Sequence, residues 1–352
     1  MNSDRLLVVR CGALGDMVLL TALIRELHAL WQRPVDVVTS GPWSEPLLRG
    51  QPGVGEIFTV RSRRTPYLFA PDQWRLVRAL RARPAVPTWF CDGGDAGRPL
   101  LARAGITPPL IVDVNDHRLL PHEHATEQWL RLAQLRPAAC AAVPWPGALT
   151  GLAGCSLTVS EAQRADLSAW LAARGLPGAP LVLVQIGNKR TMRRGPRRLA
   201  VNHKHWPAER WAATLQHIRR RCPDAAILLL GAPPEYPLNA ELARLAGVAG
   251  VHNVADDLPV TRLVALCAQA AALVTVDSGP AHVAAAVGCP QVVLFGKASP
   301  ALYRPWGVQG SQAIVVTGEQ DGAASMLGIG AEAVIAAWDR LVPRSAPSAC
   351  PA

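Results

Sequence analysis

The chain has 352 residues, half of them hydrophobic, with 36 Lys+Arg against 26 Asp+Glu and a net charge of +10 at a pI near 9.7. That length suits two domains, and that apolar content excludes a chain disordered throughout. The positive excess calls for an anionic partner: nucleic acid, anionic lipid or a phosphorylated substrate.

Only Lys189, Lys204 and Lys297 are lysines, so arginine carries the charge, and its planar fork suits phosphate and carboxylate oxygens. The eight cysteines are dispersed with no C-x-x-C, which argues against a zinc ribbon, a redox pair or a disulfide framework and for a reducing cytosol. The apolar run at 6–9 is too short for a signal peptide and ends at Arg10, and no stretch is long enough to span a bilayer. The expectation is a cytoplasmic protein that meets a membrane, if it meets one, only peripherally. No helix-turn-helix, RNA-recognition or zinc-finger pattern appears, so no nucleic acid is expected as partner.

In chain order, a strand-like run at 6–9 leads into Gly12-Ala13-Leu14-Gly15-Asp16 and then a helical pattern over 17–31. There Leu20, Leu23, Ile24, Leu27 and Leu30 are spaced for one apolar face. The glycines do not follow G-x-G-x-x-G, and no G-x-x-x-x-G-K-[ST] phosphate loop is present. What the turn offers is one carboxylate, Asp16, at the mouth of a helix. Aspartate is a preferred helix N-cap, which is the strong structural reading; its functional role at the carboxyl edge of a parallel sheet would be that of a general base.

Further strands are expected at 34–39, 57–60, 88–91 and 111–114, with helices at 71–81 and 126–135 and a loop over 136–146. A helix over 160–174 ends in Gly175-Leu176-Pro177-Gly178-Ala179-Pro180, which reads as a linker. The pattern then restarts: strands at 181–185, 226–230, 271–276 and 291–295, and helices at 208–221, 264–270, 281–287 and 331–341. Residues 345–352 read as a frayed tail. Such alternation predicts an α/β protein with parallel sheets, in two Rossmann-like halves whose cleft is the default ligand site. The expected divisions are 1–176, 177–330, and a terminal helix and tail over 331–352.

The most informative segment is Val274-Thr275-Val276-Asp277-Ser278-Gly279-Pro280-Ala281-His282. A buried strand stops at a tight turn, Ser278 can cap the following helix, and Pro280 suits its first turn. A helix N-terminus placed so binds anions, phosphate above all, and His282 lies within a turn of it. An ordinary well-capped βα junction would read the same way.

Taken with Gly12-x-x-Gly15-Asp16, Ala284-Ala285-x-x-Gly288 and Phe295-Gly296, this segment resembles glycosyltransferase family 9, the lipopolysaccharide heptosyltransferases, over most of the chain. The resemblance implies a GT-B fold with two facing Rossmann-like domains, 1–176 for acceptor binding and 177–330 for nucleotide-sugar binding, with the helix and tail over 331–352 packing back toward the first domain, and a peripheral place on the cytoplasmic face of an inner membrane. It also implies inverting transfer, without a metal or other cofactor, from an ADP-heptose-type nucleotide sugar to an anionic, lipid-linked core sugar. By matching position Asp16 resembles the family's catalytic base, and Asp277, Ser278, Gly279 and His282 its donor-site turn. Lys204, in Lys204-His205-Trp206-Pro207, resembles the lysine that meets the donor phosphates. Glu235 resembles the acid that meets the ribose, and Asn188 a small polar donor contact.

Arg61, Arg63 and Arg64 are candidate acceptor contacts on charge alone, against the reading of a solvated turn. Sugar-nucleotide 2-epimerases share the fold and form the rival enzyme class. Three features depart from the family pattern. They are the basic run 189–198, expected as a mobile lid or acceptor-guiding loop, the acids of Asn253-Val254-Ala255-Asp256-Asp257, and Lys297 after Phe295-Gly296.

Overall fold

The computed structural model describes residues 4–188, 191, 202–308, 310, 312–342 and 344. It divides the chain into two units, Met1–Thr158 and Val159–Ala352. The first unit contains β1 (Leu6–Val9), α1 (Leu14–Trp31), β2 (Val35–Thr39), α2 (Ser44–Leu48), β3 (Val54–Thr59) and α3 (Pro71–Arg81). It continues with β4 (Thr88–Phe90), α4 (Arg98–Arg103), β5 (Ile111–Asp113) and α5 (Ala125–Ala133). The second runs α6 (Glu161–Ala172), β6 (Leu181–Gln185), α7 (Ala208–Arg221), β7 (Ala226–Leu229), α8 (Tyr236–Ala246), β8 (Val251–Asn253) and α9 (Val260–Gln269). It ends with β9 (Ala272–Val276), α10 (Gly279–Ala286), β10 (Gln291–Phe295), α11 (Pro300–Tyr303), β11 (Ala313–Thr317), the short pair β12 (Glu319–Gln320) and β13 (Ala323–Ala324), and α12 (Ala331–Arg340).

The first sheet is ordered β3-β2-β1-β4-β5 and the second β11-β10-β9-β6-β7-β8, and every pairing in both is parallel. Counted from its own first strand, each sheet has the order 3-2-1-4-5, and the second adds a sixth strand. The order therefore reverses between β1 and β4 in one unit and between β6 and β9 in the other. At such a reversal the crossover helices leave on opposite faces and open a crevice beyond the strand carboxyl ends. Strands buried on both faces explain the continuous apolar runs Leu6–Val9, Ala272–Val276 and Gln291–Phe295, every residue of which is buried.

The boundary falls at Thr158/Val159 and not at the Gly/Pro run 175–180. Thr158 is held in the first unit by the buried Gln51, whose Oε1 accepts from Thr158 N at 2.8 Å and whose Nε2 donates to Thr158 O at 3.0 Å. Ser160 then caps α6, exchanging hydrogen bonds with Gln163. Helix α6 packs on α9 through an ionic clamp in the second unit. Asp257 accepts from Trp170 Nε1 and Arg174, each at 2.8 Å, and from Arg262, which also reaches Asp166. The Gly/Pro run is thus a turn from α6 to β6, with Gly175 at φ 67° and Gly178 at φ 75°. Helix α12 also differs from expectation. Its Val334, Ala337 and Trp338 are buried in the second unit's own core, against α7, β10 and β11.

Candidate active site

Helix α7 begins where Lys204-His205-Trp206-Pro207 meets the second core. Trp206 is fully buried, stacks edge-on against Trp211 at 4.8 Å, and donates from Nε1 to Ile329 O at 2.9 Å. Pro207 is the N-cap of α7 and lacks an amide that would need a partner there. The anchored indole fixes the backbone two residues after Lys204, so the lysine is positioned by packing. Its Nζ lies 2.6 Å from Asp277 Oδ2 and donates to Asp277 O at 2.8 Å. An ammonium has three N–H donors, and Asp277 takes two. Lys204 is thus tied to the turn between β9 and α10, at the carboxyl end of β9.

That turn is built differently from the expected cap. Ser278 is the N-cap of α10 in extended geometry, yet its hydroxyl makes no cap bond and lies 3.0 Å from Thr275 Oγ1 on β9. The cap side chain therefore engages none of the first-turn amides of α10; Pro280 has none and Ala281 N donates to Ser278 O at 3.2 Å, which leaves the Gly279 amide at the mouth of the helix as the donor for an anion. His282 is on the same helix and buried.

Across the reversal, β6 ends at Gln185 and the chain turns through Gly187 and Asn188. A Cβ on Gly187 would fall 1.7 Å from Glu235 Oε1, so only glycine fits. Glu235 is buried under this turn. Its Oε1 accepts from the Thr191 hydroxyl and its Oε2 from Ala232 N at 2.9 Å. Asn188 N donates to Thr191 Oγ1 at 2.8 Å, and Asn188 Nδ2 to Asn202 Oδ1 at 3.3 Å, an oxygen that also accepts from Lys204 N. Asn188, Thr191, Asn202, Lys204 and Glu235 thus form one hydrogen-bonded patch along the ends of β6 and β7.

In the first unit, α1 starts at Leu14 with Ala13 as N-cap, so Asp16 is not the cap but the third helical residue. Its Oδ2 accepts from Ala13 N at 2.8 Å, and its Oδ1 accepts from Arg10 at 2.7 Å. Gly12 is required beside it, since a Cβ there would lie 2.4 Å from Asp16 Cβ. Arg10 also donates to Cys91 O at 2.8 Å, bridging β1 to β4 at the reversal point. The Asp16 side chain retains 37% of its exposure. Beside this pair, at the ends of β2, β1 and β4, Ser40, Cys11 and Asp92 gather with Arg63. Burial pushes the Cys11 thiol up to about 11 and raises Asp92 against the opposing pull of Arg63 and Arg10. Arg63 reaches Asp92 Oδ2 at 3.2 Å, whereas Arg61 and Arg64 are exposed.

Residues 196–324 match the family model for glycosyltransferase family 9 (heptosyltransferase). Over that stretch the chain is similar to a glycosyltransferase family 9 domain, and the protein is a glycosyltransferase. It is 27% identical over 316 residues to lipopolysaccharide heptosyltransferase 2 of Salmonella typhimurium, a match covering 84% of each chain. It is 29% identical over 154 residues to lipopolysaccharide heptosyltransferase 3 of Escherichia coli, where the match takes in 42% of this chain and spans only 45% of that relative's length. Among solved structures, a family 9 glycosyltransferase from Veillonella parvula superposes with a TM-score of 0.74 at 18% identity, covering 96% of both chains. The E. coli ADP-heptose heptosyltransferase II superposes at 0.70 with 23% identity, covering 95% of this chain and 97% of that one. The two parallel-sheet α/β units have the GT-B fold.

In this glycosyltransferase the expected residues separate by unit. Asn188, Lys204, Glu235, Asp277, Ser278, Gly279 and His282 lie on the second and Asp16, Arg61, Arg63 and Arg64 on the first. The basic run 189–198 lies outside the described residues apart from Thr191. Of the departures, Asp257 is consumed by the α6–α9 clamp, and Lys297 is exposed after Gly296, where a Cβ would meet His203 O at 2.9 Å. Sequence reasoning missed Arg10, Cys11, Asp92, Thr191 and Asn202. Arg10, Cys11 and Asp92 each lie within two residues of the end of a strand that flanks the sheet reversal, which was the available signal. Among the described residues no group of three or more His, Cys, Asp or Glu is placed to hold a metal ion, and no helix is long and apolar enough to cross a membrane.

Burial raises Glu235 above its ordinary 4.5, outweighing the hydrogen bonds from Thr191, Ala232, Gln185 and Asn188. Between the unfolded value and the raised folded one, the native chain holds a proton that the unfolded chain has lost. Stability therefore falls as pH rises through that window. Glu235→Gln keeps an acceptor for Ala232 N and can donate to the Thr191 hydroxyl, but carries no charge. Its Tm is expected to gain on the wild type as pH rises from about 4.5 toward neutrality, in thermal melts across that range. A Tm difference that does not change with pH would show that the buried carboxyl is not the cause.

Proposed function

We propose that the protein transfers a heptose, or a closely related sugar, from a nucleotide-sugar donor of the ADP-heptose type to an anionic lipopolysaccharide-core glycolipid, with inversion and without a metal. The observation that carries this reading is Lys204, fixed by the buried Trp206 and held on Asp277 at the N-terminus of α10, at the reversal point of the second sheet. A cation, a helix N-terminus and a sheet edge coincide there, which is what a departing diphosphate requires. The relatives named lipopolysaccharide heptosyltransferases, and the solved ADP-heptose enzyme with the same fold, support the choice of donor and acceptor.

On this reading Asp16 takes the proton of the acceptor hydroxyl. The freed oxygen attacks the anomeric carbon from the face opposite the diphosphate, and the bond from that carbon to the phosphate oxygen breaks. The electron pair leaves on the diphosphate, where Lys204 Nζ and the Gly279 amide of α10 receive the charge. Ser278, Gly279 and His282 shape that pocket, and Asn188 holds the neighbouring turn. Glu235 contacts the ribose from the third strand end. Arg63, with Arg61 and Arg64, meets acidic groups of the acceptor. Reaction takes place at the cytoplasmic face of the membrane that carries the lipid-linked acceptor.

Incubation with ADP-heptose and a heptose-acceptor lipopolysaccharide core, followed by mass spectrometry, tests this directly. The expected result is one added heptose and free ADP, at a rate unchanged by EDTA, since the cations are protein-borne. Loss of activity in EDTA restored by magnesium or manganese would overturn the metal-independent mechanism. Turnover of the donor with no acceptor present would favour the epimerase class.

A further inference from the structure

Residues 57–91 contain seven arginines and a single acid, Asp72. That acid is spent locally. It accepts from Arg61 N at 2.8 Å, from Ser62 N at 3.0 Å and from Gln73 N at 2.9 Å at the start of α3, and these bonds with that from the Ser62 hydroxyl hold its carboxyl below the usual value despite partial burial. Two of the arginines are also spent, Arg63 on Asp92 and Arg83 on Asp36 and Glu56. The remaining five, Arg61, Arg64, Arg75, Arg78 and Arg81, are exposed, and among the described residues none pairs with an acid.

Apolar surface rises in their midst. The single turn Tyr67–Phe69 presents Leu68 at 69% exposure and Phe69 at 70%, and Trp74, at 42%, stands beside it on α3. The Trp74 indole N–H donates to Tyr67 O at 2.5 Å, so its one polar atom is already paired and the exposed ring is apolar surface. Arg103 covers the Tyr67 ring at 4.5 Å and adds a further cation to the rim. The inner face of α3 is a core face, with Leu76, Val77 and Leu80 at 3% exposure, each worth about 1.5–3 kcal/mol of burial. The outer face is therefore rigidly displayed.

We infer that this surface, the Tyr67–Phe69 turn and the outer face of α3, docks the enzyme on an anionic lipid bilayer. A few apolar side chains ringed by long, unpaired cations form the two-part signal that interfacial binding needs. Leu68 and Phe69 enter below the headgroups, and the arginines reach up to phosphate level on their flexible stems. A second copy of this chain is disfavoured on the same surface, because it would bring ten exposed arginines of like charge together. The surface also leaves the carboxyl end of β3, at the same edge of the sheet from which β1 runs into α1 and Asp16. Docking there would bring that edge to the leaflet from which a lipid-linked acceptor is drawn. In that respect the inference extends the function proposed above, although the patch itself rests on its own geometry.

Flotation of the full chain with vesicles of phosphatidylcholine, and of phosphatidylcholine and phosphatidylglycerol in equal parts, tests it without any sugar present. Binding to the anionic vesicles alone, weakened by salt, is expected. Leu68→Ser with Phe69→Ser, and separately Arg75→Glu with Arg78→Glu, should each weaken it by about tenfold or more, since one arginine near an anionic surface contributes about fivefold. All four side chains are exposed, so melting temperatures and transfer to a delipidated core oligosaccharide should not change. Wild-type protein that fails to float with anionic vesicles, or variants that float as well as the wild type, would overturn the inference. So would light scattering in which the serine variant converts an oligomer to a monomer with no vesicle binding in either. Failure of transfer to the delipidated acceptor in wild type and variants alike would instead count against the proposed reaction and leave the vesicle result to decide the patch.

Discussion

Asp16→Asn is expected to lower the transfer rate by roughly two to four orders of magnitude, the usual cost of losing a general base. The geometry makes this a clean substitution. The amide oxygen can still accept from Ala13 N, so the start of α1 keeps its bond. The new NH2 then faces Arg10, but both side chains are partly solvated, and the arginine retains its second bond to Cys91 O. Folding should survive with a small change in Tm. Affinity for ADP, measured by calorimetry, should be unchanged, because every residue assigned to the diphosphate belongs to the second unit. A variant with near-native kcat on the same acceptor would remove Asp16 from the role.

The architecture was legible where local pattern and tertiary demand coincide. Apolar runs such as Leu6–Val9 and Gln291–Phe295 have few alternatives to a doubly covered parallel sheet, and a glycine, Gly12 or Gly296, follows each within three residues and marks its carboxyl end. Strand β8 escaped notice because Val251–Asn253 is a half-buried edge of three residues with no apolar run to betray it. Helix α8 escaped because its buried face is thin, Leu242 and Ala246 with the polar Asn239, which crosses to the ends of β7 and β8. The Gly/Pro run misled because composition reports a turn without saying whether it separates two cores or two elements of one core. What decided the matter was the pairing of Asp257 with Trp170, 87 residues apart. The site was legible through its glycines and Lys204. Its connections were not, since Lys204 to Asp277 and Thr191 to Glu235 are contacts across 73 and 44 residues that no local pattern encodes.

Lys204→Ala is expected to weaken ADP by about ten- to a hundredfold while leaving adenosine nearly unaffected. The first contribution is the charge-assisted bond to phosphate, on the order of 1.5–3 kcal/mol. A second follows from the pairing in the structure. Lys204 holds two of its three N–H donors on Asp277, whose side chain keeps only 11% of its exposure. Without the lysine, a poorly solvated carboxylate faces the incoming diphosphate with nothing to offset its charge, and like charges at close range disfavour binding. The two contributions separate in a double-mutant cycle. Asp277→Asn alone removes a competitor for Lys204 but also a strut that aims it, so its effect on ADP should be smaller than that of Lys204→Ala. In the Lys204→Ala background the same change relieves only repulsion, so ADP affinity should partly recover and the two effects should fail to add. Calorimetry with ADP and adenosine on the four proteins measures this. Equal weakening of both ligands by Lys204→Ala would move the lysine away from the diphosphate. Strict additivity would mean that the ion pair, though present at rest, has no part in how the phosphates are held.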